Sequence, residues 1–210
     1  MLRSIIREMF SVASVTLLLA ASAAISTSWA QQPPVPVRGE IVKVDGNTVV
    51  VKSRDGAQLT IKLTDNARVS GVVKAQLSDI KPGSYIGASA LPQPDGSQRA
   101  LHVHIFPEAL RGVAEGHTPY DVQPGSTMTN ATVAEVAAMA DAQTLLVKYK
   151  DGEKKIFVPS GTPIVTYAPG KMDELTPGAK IIIMAAQKQP DGTLTAGSIN
   201  VGRDGMTPPM

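Results

Sequence analysis

The chain contains no cysteine. A disulfide framework, thiolate metal sites, a Cys nucleophile and a lipidated N-terminal Cys are therefore excluded together. Aromatic residues are scarce too, at 4%. Beyond Phe10 and Trp29 they are Tyr85, Phe106, Tyr120, Tyr149, Phe157 and Tyr167, too few to furnish platforms for stacking bases or sugars. Charge of one sign is also lacking. Twenty basic and 18 acidic side chains leave a net charge of +2, which argues against a nucleic-acid partner, since that needs a concentrated basic face. After residue 30 no apolar run is long enough to cross a bilayer, and the greasiest, Ile181 to Ala186, has the length of a strand. A multi-span permease is excluded, and no stable membrane insertion is expected once the N-terminal segment is removed.

That segment carries the clearest address in the chain. Arg3 and Arg7 precede a mostly apolar run from about Ser11 to Ile25, and Ser28-Trp29-Ala30 supplies small residues at −3 and −1. This is the pattern of a secretory signal peptide over 1–30 with cleavage after Ala30. The expected location is the periplasm, with an uncleaved anchor as the alternative.

The rest of the chain is written twice. Val51-Lys52-Ser53-Arg54-Asp55-Gly56 matches Val147-Lys148-Tyr149-Lys150-Asp151-Gly152, and Gln93-Pro94-Asp95-Gly96 matches Gln189-Pro190-Asp191-Gly192. Leu77-Ser78-Asp79-Ile80-Lys81-Pro82-Gly83 matches Met172-Asp173-Glu174-Leu175-Thr176-Pro177-Gly178. Three anchors in one order predict two modules, at 37–106 and 130–201. A Pro-rich lead-in (31–36), a linker (107–129) and a flexible tail (202–210) surround them.

Each module reads as β structure. Short runs rich in Val, Ile, Leu and Thr are divided by Asp45-Gly46-Asn47 and Asp55-Gly56, whose glycines suit tight hairpins. A helical turn at Leu77 to Lys81 stops at Pro82, and a second hairpin turns at Pro94-Asp95-Gly96. Five strands with a helical turn after the third predict an all-β chain of two tandem five-stranded barrels. These would be small, OB-like (oligonucleotide/oligosaccharide-binding) barrels related by internal duplication and joined by a long irregular linker. A two-sheet sandwich is the alternative. The succession of Asp-Gly turns, Leu-x-Asp-x-x-Pro-Gly and Pro-Asp-Gly resembles an exported bacterial domain family of unknown function. The stretch Phe106-Pro107-Glu108-Ala109-Leu110-Arg111 through Ser126-Thr127-Met128-Thr129-Asn130 resembles small proteobacterial proteins automatically labelled "metal ABC transporter permease". The resemblance implies no catalytic residues, and the hydropathy contradicts "permease".

All three histidines fall within residues 102–117. In Leu101-His102-Val103-His104-Ile105 strict alternation assigns the apolar trio to the core and both histidines to solvent or a neighbouring element. Two readings of the pair stand, solvated strand histidines or metal ligands. A metal site would combine His102 and His104 with Glu108 and His117, a donor set suited to Zn²⁺, Cu²⁺ or Ni²⁺, with Met128 as a further ligand for copper. The corresponding residues of the second module are Ser198 and Asn200, so the fold does not require imidazoles there.

The linker is punctuated by Gly112, Gly116, Pro119, Pro124 and Gly125 and is long for a compact protein. It reads either as a plain connector or as a strap anchored by Phe106, Leu110 and Tyr120. Nucleophile elbows, His-Glu-x-x-His, phosphate loops and dinucleotide fingerprints are missing from the sequence. The expected function is therefore non-enzymatic, with no resident cofactor. It is a periplasmic binding or interaction protein whose partner is an unidentified protein or small ligand. A Zn- or Cu-binding accessory protein is the alternative.

Overall fold

The computed structural model describes residues 33–138 and 142–209, so the expected signal peptide lies outside the described residues. Within them the chain is all-β, with twelve strands, three 3-10 turns and no α-helix. The first half contains β1 (Val35–Asp45), β2 (Thr48–Ser53), β3 (Gln58–Lys74), a turn at Leu77–Asp79, β4 (Tyr85–Pro92) and β5 (Gln98–Ile105). A turn at Glu108–Leu110 and the short β6 (Gly116–Pro119) follow. The second half contains β7 (Thr127–Ala138), β8 (Gln143–Tyr149), β9 (Gly152–Val158), β10 (Ile164–Pro169), a turn at Met172–Glu174, β11 (Lys180–Lys188) and β12 (Leu194–Gly202).

Local chemistry explains the turns. Gly56 sits at φ +87°, a conformation open to glycine and costly for other residues. Asp55 and Ser53 hydrogen-bond beneath it, and the Ser53 hydroxyl also donates to the Ala57 carbonyl at 2.9 Å. Alternation explains the strands. In β2 Val49 and Val51 face inward while Lys52 faces out, so a pleated strand buries one side.

Strands β1, β2, β3, β12 and β11 close into a five-stranded barrel. Its core includes Ile41, Val51, Ile61, Leu63, Ile183 and Ile199. The remaining strands extend the same sheet, with β10 lying between β3 and β5. A second circuit of pairing runs β4–β5–β9–β8–β7 and encloses another core around Ile86, Val103, Val133, Leu145, Val147 and Ile156. Its closing contact is short, Gln98 opposite Ile156 and Arg99 opposite Phe157.

The pairing corrects the expectation that 37–106 and 130–201 each close on their own strands. β1 pairs with β11 and β3 with β12, so the barrel takes three strands from the first half and two from the second. The cause is the length of β3. It continues past Leu63 through the polar Thr64-Asp65-Asn66 to Lys74. At ~3.3 Å per residue such a strand outruns the barrel and delivers β4 and β5 beyond it.

The tail also differs from expectation. Pro208 is buried, and Arg203 both bridges to Glu174 at 2.9 Å and donates to the Pro169 carbonyl at 2.6 Å. Arg203 and Pro208 thus pin the tail to the body of the protein, while Asp204, Gly205 and Thr207 stay exposed.

Register connects one face across most of the sheet. Arg38 lies opposite Ile182, Ile182 opposite Asn200, and Asn200 opposite Ser70. Ser70 lies opposite Pro169, Val165 opposite His104, and both His104 and Asn130 opposite Gly87. Neither core lies on this face. Val72, Val165, Ile182 and Tyr85 are nonetheless buried on it, so these strands are covered on both sides.

Candidate functional site: a buried histidine pair beside an apolar groove

His102 and His104 project from β5 onto that shared face and are only 2% and 4% exposed. Alternation placed them correctly opposite the core residue Val103, but the outer face of β5 is covered. Their solvated location is corrected accordingly. The ring centroids lie 6.1 Å apart. His104 packs edge-on against Phe106 at 4.6 Å and against Tyr167 of β10 at 6.0 Å, while Phe106 touches Tyr85 at 5.2 Å. Opposite His104 stands Gly87, and the imidazole and the Asn130 amide occupy the space where a Cβ would be. Gly87→Ala is therefore expected to cost roughly 1–3 kcal/mol through overpacking. A His104→Ala background should recover part of that loss, as read by urea melts of the four members of the cycle.

Four buried polar atoms around this pair have no hydrogen-bond partner among the described residues: Ser89 Oγ, His102 Nε2, His104 Nδ1 and Asn130 Oδ1. The Asn130 amide cannot simply be turned. Its Nδ2 donates to the carbonyls of Ala114 at 3.1 Å and Val113 at 3.4 Å, which aims Oδ1 toward Gly87 and His104. Each such orphan costs about 1–3 kcal/mol. Burial pushes His102 down to about 4, aided by the charge of Arg38, and pushes His104 down to about 3, aided by His102. Both imidazoles are neutral at pH 7. Tyr167, raised by burial, keeps its phenol proton.

The other two expected ligands do not join them. Glu108 is exposed and accepts a two-point hydrogen bond from Arg111, at 2.6 and 2.7 Å, which holds its carboxyl below the usual range. His117 lies on β6 opposite Thr129, whose other neighbour, Ala88, faces the core. It therefore projects from the opposite side of the sheet to His104. There its Nδ1 shares a hydrogen bond with Thr129 Oγ1 at 2.8 Å, and its ring stacks on Tyr149 at 6.5 Å. No group of three or more His, Cys, Asp or Glu side chains placed to hold a metal ion occurs among the described residues. The ligand set of His102, His104, Glu108 and His117 is thereby corrected. Met128 is nearly buried on β7 opposite Ser89.

The segment after β5 is a strap. The Tyr85 hydroxyl donates to the Val113 carbonyl at 3.0 Å, and Arg111 donates to the Gly83 carbonyl at 2.9 Å. Glu115 accepts from the Lys150 amide at 2.9 Å. Farther along, Asp121 takes both guanidinium nitrogens of Arg38, at 2.7 and 2.9 Å, while Tyr120 lies under the same group. Of the expected anchors, Phe106 packs into the aromatic cluster and Tyr120 onto Arg38.

Leu110 has another role. With Ala109 and Pro107 it walls a groove of about 570 Å³ whose other sides are Ala67, Val69, Tyr167 and Pro169. Tyr167 links the two features, since its ring both lines the groove and touches His104. Sequence reasoning missed Tyr167, Ser89, Asn130 and the β3 side of the groove. The only local signal was Gly87, a small residue among buried neighbours where a second side chain had to fit. No family model, curated protein or solved structure matches this chain.

Proposed function

We propose that this chain is a non-enzymatic binding protein of the periplasm, exported through residues 1–30, that captures an apolar or amphipathic ligand between the strap and strands β3 and β10. The observation that carries the proposal is the groove itself. Its 570 Å³ falls in the ~300–1,000 Å³ class of small-molecule sites, and its walls are mostly apolar side chains. It lies where the closed barrel meets the extra strands, a junction of the kind at which ligand sites commonly form. The neutral histidines behind Tyr167 suit a positioning role, because they add polarity without charge.

The architecture belongs to the same proposal: two OB-like barrels descended from a duplicated module, with the last two strands of each module exchanged. Local geometry supports it. The Ser97 amide and hydroxyl both donate to Asp95, at 3.0 and 2.6 Å, and Thr193 treats Asp191 likewise, at 2.9 and 2.7 Å. The Gln76 amide donates to Asp79 at 2.8 Å, and the Lys171 amide to Glu174 at 3.0 Å.

Titration of the full chain with the neutral fluorophore N-phenyl-1-naphthylamine tests the binding reading. A saturable rise in fluorescence is expected, reduced at least tenfold in affinity by Leu110→Arg. A probe signal that does not saturate, or one indifferent to Leu110→Arg in a folded variant, overturns it.

A further inference from the structure

The groove is apolar on all sides but one, and that side carries a single formal charge, Arg68. We infer that the ligand is a single-chain amphipathic anion, a long-chain carboxylate whose tail lies along Leu110 and Tyr167 and whose head pairs with Arg68. The inference rests on the binding reading above and adds the chemical class of the ligand.

Charge complementarity carries it. Three arginines surround this part of the molecule, and two already have an acid. Arg203 is held by Glu174 and Arg111 by Glu108. Arg68 is exposed on β3, and among the described residues no acid lies within ion-pairing distance of it. Register places it on the same face as Ser70, whose neighbour Pro169 forms the adjacent wall. A cation at an apolar rim strengthens its attraction to an anion, since less water screens the pair there. Guanidinium also matches a carboxylate through two parallel hydrogen bonds, which a point charge cannot do. Among the described residues that line the groove there is no acidic side chain to repel such a head. Exposure of Arg68 further means that replacing it leaves both cores intact.

The test compares two surfactants built on twelve-carbon chains with opposite heads, laurate and dodecyltrimethylammonium, by calorimetry on the full chain below their micelle concentrations. Laurate is expected to bind at least tenfold more tightly than the cation, and Arg68→Gln to erase that preference. Equal affinity for the two heads, or a laurate preference that survives Arg68→Gln, overturns the anion assignment while the neutral probe still reports the groove. Failure of the neutral probe as well overturns the groove reading itself. Arg68→Lys should retain part of the preference, because it keeps the charge and loses the two-point geometry.

Discussion

Acidifying the folded chain from pH 7 to pH 5 is expected to lower its stability steeply, well before most carboxylates titrate. The cause is the histidine pair. In the unfolded chain both imidazoles titrate near ~6.5, whereas in the fold burial holds His102 at about 4 and His104 at about 3. Between those values the unfolded state binds protons that the folded state refuses, so stability falls as pH falls. The contribution is complete above pH ~6.5 and is lost progressively toward the folded values. Each histidine adds a slope of at most about 1.4 kcal/mol per pH unit, so the pair can remove a few kcal/mol by pH 5. His117, lowered by partial burial and Lys154, adds a smaller share of the same sign. Asp121, Glu174 and Glu108 are all lowered by their arginine partners and act only at more acidic pH. Urea melts at half-unit steps from pH 7.5 to pH 5 should show the slope. A His102→Gln, His104→Gln double variant should flatten most of it, even if its stability at pH 7 is lower. A flat wild-type profile would mean that the pair is not buried as described.

What was legible in the sequence was local. The Asp-Gly hairpins, the Pro-Asp-Gly turn and the capped 3-10 turns all formed where expected, because each depends on residues within a few positions. Glu108 and Arg111 also stand at a spacing whose pairing could have been read, and that pairing removes Glu108 from any metal set. What was not legible was non-local. Alternation states which residues share a face but not what covers it. Val103 and Ile105 correctly marked the core side of β5, where Ala100 rather than Leu101 joins them past the register shift at Ser89/Ala90, yet nothing in the strand reveals that its other side meets Phe106, Asn130 and Tyr167. A strand buried on both faces usually announces itself as a continuous apolar run. Here histidine, serine and glycine occupy the second face instead. The groove was hidden for a related reason, since its walls come from β3, β10 and the strap, far apart in the chain.

Cutting the chain inside the strap is expected to leave the two halves bound to each other. Gln123, Pro124 and Gly125 are exposed and accept an inserted protease site without disturbing either core. If each half closed its own barrel, cleavage would release two independent particles. The observed pairing forbids that. β1 and β3 hold β11 and β12 across the cut, and β4 and β5 hold β7, β9 and β10. The cleaved protein should therefore migrate as one 1:1 particle and separate only on denaturation. Its stability should become concentration-dependent, because association is now bimolecular. With an intact tether worth an effective concentration near ~1 mM, cleaved protein at ~1 µM should lose about 4 kcal/mol relative to the uncut chain. Each tenfold dilution should then lower stability by about 1.4 kcal/mol. Two folded monomers after cleavage, or a melt indifferent to dilution, would contradict the pairing of strands across the cut. Since the groove takes one wall from β10 and another from β3, the same experiment also predicts that naphthylamine binding survives cleavage and disappears when the halves part.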